Sequence, residues 1–125
     1  MLADFRTHLR LFLAFSEEKA HRAGLSPQQH QLLLAVRALG PKAPLRELAQ
    51  RLVLRHHSTV GLADRCEQAG LVRRVKVGPD GRRVYLELTA KGARVLRRLS
   101  LAHKDELRRR GPALVKALER LLGKR

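Results

Sequence analysis

The chain is short of the residues that would place it in several common classes. Cys66 is its single cysteine, so no intramolecular disulfide forms and no cysteine-based zinc site can assemble. That usage fits a reducing, cytoplasmic setting. Tryptophan is absent and the only other aromatics are Phe5, Phe12, Phe15 and Tyr85, too few for a protein that holds single strands by stacking bases on rings. No apolar run approaches the roughly 20 residues of a membrane helix, so no membrane span is expected. The opening "MLADFRTHLRLFLAFSEEK" carries Asp4 and His8 within its apolar part and lacks a small-residue cleavage site, and reads as a folded helix rather than a signal peptide. Acids are scarce, 11 against 27 Lys and Arg. No nucleophile–base pair, paired carboxylates or glycine-rich phosphate loop appears, so neither enzymatic chemistry nor a metal or cofactor is expected.

What is present is a chain of 125 residues that is 44% hydrophobic, enough for one domain with a real core. Its net charge of +16 favours polyanionic partners. The excess is spread along the chain: four Lys/Arg against three acids in residues 1–25, twelve against five in 26–92, eleven against three in 93–125. Nucleic acid is the first partner such a balance suggests, and an anionic membrane surface its main competitor.

Residues 2–21 lack Gly and Pro and show apolar positions at helical spacing, Leu2, Phe5, Leu9 and Phe12, with Leu11, Leu13 and Phe15 forming a second apolar face. A helix apolar on two sides is buried on two sides, which points to a partner chain. "GLSPQQHQLLLAVRALG" predicts a second helix, with Ser26 as N-cap, Pro27 at the first helical position, Gln29 completing a capping box, and Gly40-Pro41 as the stop. "PLRELAQRLVLRHHSTVGLADRCEQAG" predicts two short helices, the second from about His56 or His57 to Ala69 with Thr59, Leu62, Ala63, Cys66 and Ala69 facing inward. The link Val53-Leu54-Arg55 is as short as that of a helix-turn-helix. "LVRRVKVGPDGRRVYLELT" is a hairpin whose turn is Gly78-Pro79-Asp80-Gly81. Thr89 caps a long helix over about 90–110, Gly111-Pro112 is expected to break it, and a last short helix follows with Leu114, Ala117, Leu118, Leu121 and Leu122.

A helix-turn-helix sets its second helix in a major groove, and a hairpin beside it reaches the neighbouring minor groove, whose negative potential attracts arginine. Arg82 is the expected minor-groove probe, with Asp80 holding its guanidinium by a bidentate pair. Gly78 and Gly81 allow close approach. His56, His57 and Ser58, at the start of the recognition helix, are expected at base edges or phosphates. Arg55, Arg65, Arg73, Arg74 and Arg83 are expected at phosphates. Adjacent His56 and His57 point about 100° apart on a helix and so do not make a metal site.

The string "LAQRLVLRHHSTVGLADRCEQAGLVRRV…GPDGRRVYLELTAKG" resembles the DNA-binding segment of the multiple-antibiotic-resistance regulator (MarR) family, through "LA..L", "L.DR...AGLVRR", the wing "D.R" and "LT.KG". The resemblance implies a mainly α fold with a small β-hairpin wing: a winged helix-turn-helix over 26–92, flanked by dimerisation helices in 1–25 and 93–125. It implies a homodimeric transcriptional regulator, most often a repressor, that binds palindromic double-stranded DNA and is released by a small-molecule effector or an oxidant. Phe5, Leu9, Phe12, Leu114, Leu118 and Leu121 are then expected at the dimer interface. His8, Phe12, His30, Leu33 and Arg37 are expected at the effector pocket. Three departures stand out. Val60 and Gly61 occupy recognition-helix positions where relatives often carry polar or basic side chains; Val60 can pack on a thymine methyl and Gly61 can permit close approach. The C-terminal helices are shorter than in many relatives. Cys66 replaces an expected leucine and reads as a small core hydrophobe. With so few polar readers on the helix, sequence-independent architectural binding is the second reading, and the wing tip carries more of the burden.

Overall fold

The computed structural model describes residues 1–123. Five helices and a three-stranded antiparallel sheet follow in the order α1 (Leu2–Arg22), α2 (Pro27–Leu39), β1 (Ala43–Pro44), α3 (Leu45–Leu52), α4 (His56–Gln68), β2 (Val72–Val77), β3 (Arg83–Leu88) and α5 (Ala90–Leu121). The chain divides into two compact units: Leu25–Arg97, and Met1–Gly24 together with Arg98–Arg125.

The first of these is a winged helix-turn-helix. Its α2 begins as the sequence requires: the Ser26 side chain accepts from the Gln29 amide, and the Gln29 side chain accepts from the Ser26 amide, the capping box that the spacing predicts. Leu32, Leu33 and Val36 on α2, Leu45 and Leu48 on α3, and Leu62, Ala63 and Cys66 on α4 are buried, with Leu71, Val72 and Leu86 from the strands. Thr59 is also buried, and its hydroxyl donates to the Arg55 carbonyl at 3.0 Å, so no polar atom of it is stranded. The wing strands pair in register from Val72↔Leu88 to Val77↔Arg83. Sequence pattern did not reveal β1, whose two residues pair with Leu86 and Tyr85 of β3 and give the sheet the order β1-β3-β2. Val53 closes α3 in a left-handed conformation, φ 56° and ψ 45°. A β-branched residue rarely adopts it, and this one is 89% exposed.

Tight packing fixes the junction of the wing with α5. The Thr89 hydroxyl donates to the Gly70 carbonyl and accepts from the Gly92 amide at 3.0 Å, capping α5 as expected. A Cβ at Gly92 would stand 2.0 Å from the Leu71 carbonyl oxygen, so only glycine fits there.

The second unit is helical. The expected break at Gly111-Pro112 does not occur: α5 runs unbroken through Pro112. Proline removes the donor that the Arg108 carbonyl would otherwise receive. Both Arg108 and Pro112 are exposed, so water can serve that carbonyl, while Leu114 and Ala117 continue the apolar face beyond it. Buried in this unit are Ser16, Ala20, Leu99, Glu106 and Ala117. The Glu106 carboxylate is held by Arg109 at 3.0 Å and Arg110 at 3.1 Å on its own helix. Among the described residues no helix is long and apolar enough to cross a membrane.

Candidate nucleic-acid interface

α4 presents two unlike faces. Thr59, Leu62, Ala63 and Cys66 are buried, while His56, His57, Ser58 and Arg65 are exposed and Val60 and Gly61 partly so. No side chain caps the helix start, where Arg55 stands at the N-cap position. Arginine has no acceptor to offer the first-turn amides, so those donors are left for an outside group.

At the far end of the unit, the wing tip is a tight turn with Gly78 and Gly81 at φ 103° and 65° and a Gly81 amide to Gly78 carbonyl bond of 3.2 Å. Both Asp80 carboxylate oxygens bind Arg82, though not as the expected fork on the guanidinium. One accepts from the Arg82 backbone amide at 3.2 Å, the other from its Nε at 2.8 Å. This is an Asx turn extended by an ion pair. It leaves the terminal nitrogens of Arg82 outward on a side chain that is 87% exposed. Arg83 is exposed beside it.

The base of the wing is built differently. Arg73 pairs with Glu87 directly across the strands at 2.8 Å. Arg74 turns inward: its Nη2 donates to the Asp64 carboxylate and to the Val60 carbonyl, and its amide to Glu67 Oε2 at 3.3 Å. Arg74, expected at a phosphate, is thus half-buried and bonded to α4. Its two Nη2 bonds tie β2 to α4, because the two elements stand close enough for a long side chain to bridge them. Asp64 and Glu67, which the sequence offers as alternative partners for Arg65, bond Arg74 instead. A groove of about 860 Å³ lies between the start of α3, α4 and the wing. Arg46, Arg74, Lys76, Arg82 and Arg83 line it against one acid, Glu47, so its field is positive.

Cys66 is wholly buried, and burial pushes its thiol up to about 11, with the nearby Arg65 charge pulling weakly the other way. It is a core residue with no thiolate at neutral pH.

The residues expected at an effector pocket fall in both units. In the winged-helix unit His30 and Leu33 are buried and Arg37 is exposed. In the helical unit His8 lies 3.5 Å from Asp4, one turn away, and Phe12 meets His103 edge to face at 5.9 Å. His103 Nδ1 is 2.6 Å from the Leu99 carbonyl, which only accepts, so Nδ1 carries the proton, and Nε2 meets the Ser16 hydroxyl at 2.9 Å. Among the described residues no cluster of His, Cys, Asp and Glu is arranged to hold a metal. Of the expected dimer residues, Phe5, Phe12, Leu114 and Leu121 are half-buried, and Leu9 and Leu118 are exposed.

A capped three-helix core, an outward α4 and a charged hairpin define a winged helix-turn-helix protein. Residues 23–83 match the model of the MarR family. The HTH-type transcriptional regulator FarR of Neisseria gonorrhoeae is 35% identical over 77 residues, covering 60% of this chain and 51% of that protein, so the chain spans about half the length of the curated relative it matches. AbsC, a MarR family transcriptional regulator from Streptomyces coelicolor, superposes with a TM-score of 0.77 at 25% identity over 97% of this chain and 88% of that one. A mutant MarR from E. coli, solved in complex with operator DNA, gives a TM-score of 0.76 at 21% identity over 94% and 87%. The MarR family match lies in the winged-helix part of the chain.

Proposed function

We propose that the protein is a homodimeric transcriptional repressor, not an enzyme, acting in the cytoplasm on a palindromic duplex. α4 enters the major groove with His56, His57, Ser58, Val60, Gly61 and Arg65 toward the bases and nearest phosphates. The wing lies along the next minor groove with Arg82 inserted and Arg55, Arg73 and Arg83 near the backbone. The observation that carries this reading is the wing tip: Asp80 spends both its oxygens on holding one arginine, which is otherwise 87% exposed. An unattached arginine would lose rotamer freedom on entering a groove, and this one has already lost it.

The dimer reading rests on the apolar side chains that the helical unit exposes, among them Leu2, Leu9, Leu101, Val115, Leu118 and Leu122. Two copies give two lobes and hence a palindrome. Release by a small molecule is part of the same reading.

Titration of a palindromic duplex from the protein's own promoter against salt tests the reading. Steep salt dependence is expected, and Arg82→Ala should weaken binding by about ten- to a hundredfold. Unchanged affinity in that variant removes the wing from the interface. Equal affinity for the palindrome and a scrambled duplex would make the protein an architectural binder instead, a reading that the charge of +16 and Gly61 favour.

A further inference from the structure

Two glycines stand within helices of the winged-helix unit, and only one is required by the fold. Gly92 has no room for a Cβ, because the Leu71 carbonyl oxygen would lie 2.0 Å away. Gly61 is otherwise placed. It lies within α4 and is not among the residues of positive φ. The nearest heavy atom to an added Cβ would be Arg65 Nη1 at 3.7 Å, an ordinary contact with the end of a flexible side chain. Alanine would fit, favour the helix and restrict the unfolded chain. Neither packing nor backbone conformation accounts for glycine at this position.

Its place on the helix does. At about 100° per residue, His57, Gly61, Asp64 and Gln68 point away from the buried stripe of Thr59, Leu62, Ala63 and Cys66. Gly61 is thus near the centre of the outward face. Asp64, next along that face, is drawn aside to Arg74. Arg74 also grips the Val60 carbonyl at 3.2 Å, so the backbone at this turn is tied to β2. The helix cannot easily retreat there from something pressed against it. Arg65 lies beside the opening and supplies positive charge to it.

We propose that Gly61 is the closest-approach point of α4, where a base edge in the major groove rests directly on the helix backbone at a distance that a β-methyl forbids. The proposal deepens the DNA-binding reading and depends on it. It makes Gly61 a specificity-determining residue that acts by having no side chain, and it leaves the fold slightly less stable than alanine would.

The test compares Gly61→Ala with the wild-type chain and with Gly92→Ala. One measurement is the melting temperature; the other is affinity for the tightest duplex that the wild type selects from a random pool. Gly61→Ala should melt roughly 2–6 °C higher. Its affinity for the selected duplex should fall by about ten- to a hundredfold, the cost of forcing a methyl into a filled contact. Gly92→Ala should melt lower. A Gly61→Ala variant that is more stable and binds as tightly as the wild type overturns the proposal. So does one that melts lower, since the fold then needs the glycine. A wild type that retains no duplex from the pool overturns the DNA-binding reading itself, a result visible before any variant is compared.

Discussion

The two units treat their apolar residues in opposite ways. In Leu25–Arg97 every helix sends side chains into a shared core: Leu32, Leu33, Leu48, Leu62, Leu71, Leu86 and Leu96 are all fully buried. In Met1–Gly24 with Arg98–Arg125 the buried set is Ser16, Ala20, Leu99, Glu106 and Ala117, mostly small or polar, while Leu2, Leu101, Val115 and Leu122 are each more than half exposed. The winged-helix unit closes on itself. The helical unit exposes large apolar side chains among its described residues. The same hydrophobic effect that folds the winged-helix unit would favour covering the apolar side chains that the helical unit exposes.

The largest test of that contrast replaces Leu118, which is 41% exposed, with glutamate. In a dimer whose interface contains this residue, a buried carboxylate without a partner separates the copies. Sedimentation should show a monomer at micromolar concentration with its circular dichroism unchanged. Affinity for a palindrome should fall by about 10²- to 10⁴-fold, because the second half-site no longer binds intramolecularly. A Leu118→Glu protein that stays dimeric places the interface elsewhere.

Next comes a pair of alanine substitutions. Leu32→Ala empties a fully buried site and should cost about 2–5 kcal/mol in urea unfolding. Leu101→Ala, at a residue 57% exposed, should cost under about 0.5 kcal/mol when introduced into the Leu118→Glu monomer. Similar losses at the two sites would erase the distinction between the units.

Much of the winged-helix unit could be read from sequence because its signals are local. Ser26 and Gln29 sit at capping-box spacing, Thr89 precedes a helical period, and the inward residues of α4 recur every three or four positions. The features that escaped notice depend on distant neighbours or on a balance of energies. β1 is two residues long and exists only because Leu86 and Tyr85, some forty positions later, pair with it. Pro112 carries the usual signal for a helix end, worth about 3 kcal/mol, but the exposed carbonyl it strands can be hydrated. Arg74 looks like any basic strand residue until Asp64 and the Val60 carbonyl are found beside it. At the candidate interface the residue types and the turn were legible; the inward role of Arg74 and the division of Asp80 between backbone and side chain of Arg82 were not.

A smaller effect tests how strictly the self-contained unit is optimised. Val53 holds a left-handed conformation at the corner of the helix-turn-helix with 89% of its surface exposed, so it forfeits backbone ease and gains little burial. Left-handed φ costs a non-glycine residue about 1–2 kcal/mol, and glycine gives back part of that through its looser unfolded state. Val53→Gly should therefore raise stability by about 0.5–1 kcal/mol in urea unfolding. A loss would mean that the valine side chain makes a contact worth more than the strain.

The smallest effect at working pH concerns Cys66, and its silence there is the prediction. Burial raises the thiol from 9.0 to about 11 in the folded chain. Below pH 9 the thiol is protonated in both folded and unfolded chains, so it adds no slope to stability. Between about 9 and 11 the unfolded chain gives up the proton and the folded chain keeps it. Unfolding then releases a proton, and stability falls as pH rises through that window. A Cys66→Ala variant starts from a lower baseline because it loses buried volume, but its decline over the same window should be shallower. The difference between the two slopes isolates the contribution of the thiol. Alkylation gives a second measure: iodoacetamide should label Cys66 slowly in the folded protein at pH 8 and rapidly in urea. Rapid labelling of the folded chain would mean that the core around α4 opens readily, and the winged-helix unit would then be less self-contained than its buried leucines indicate.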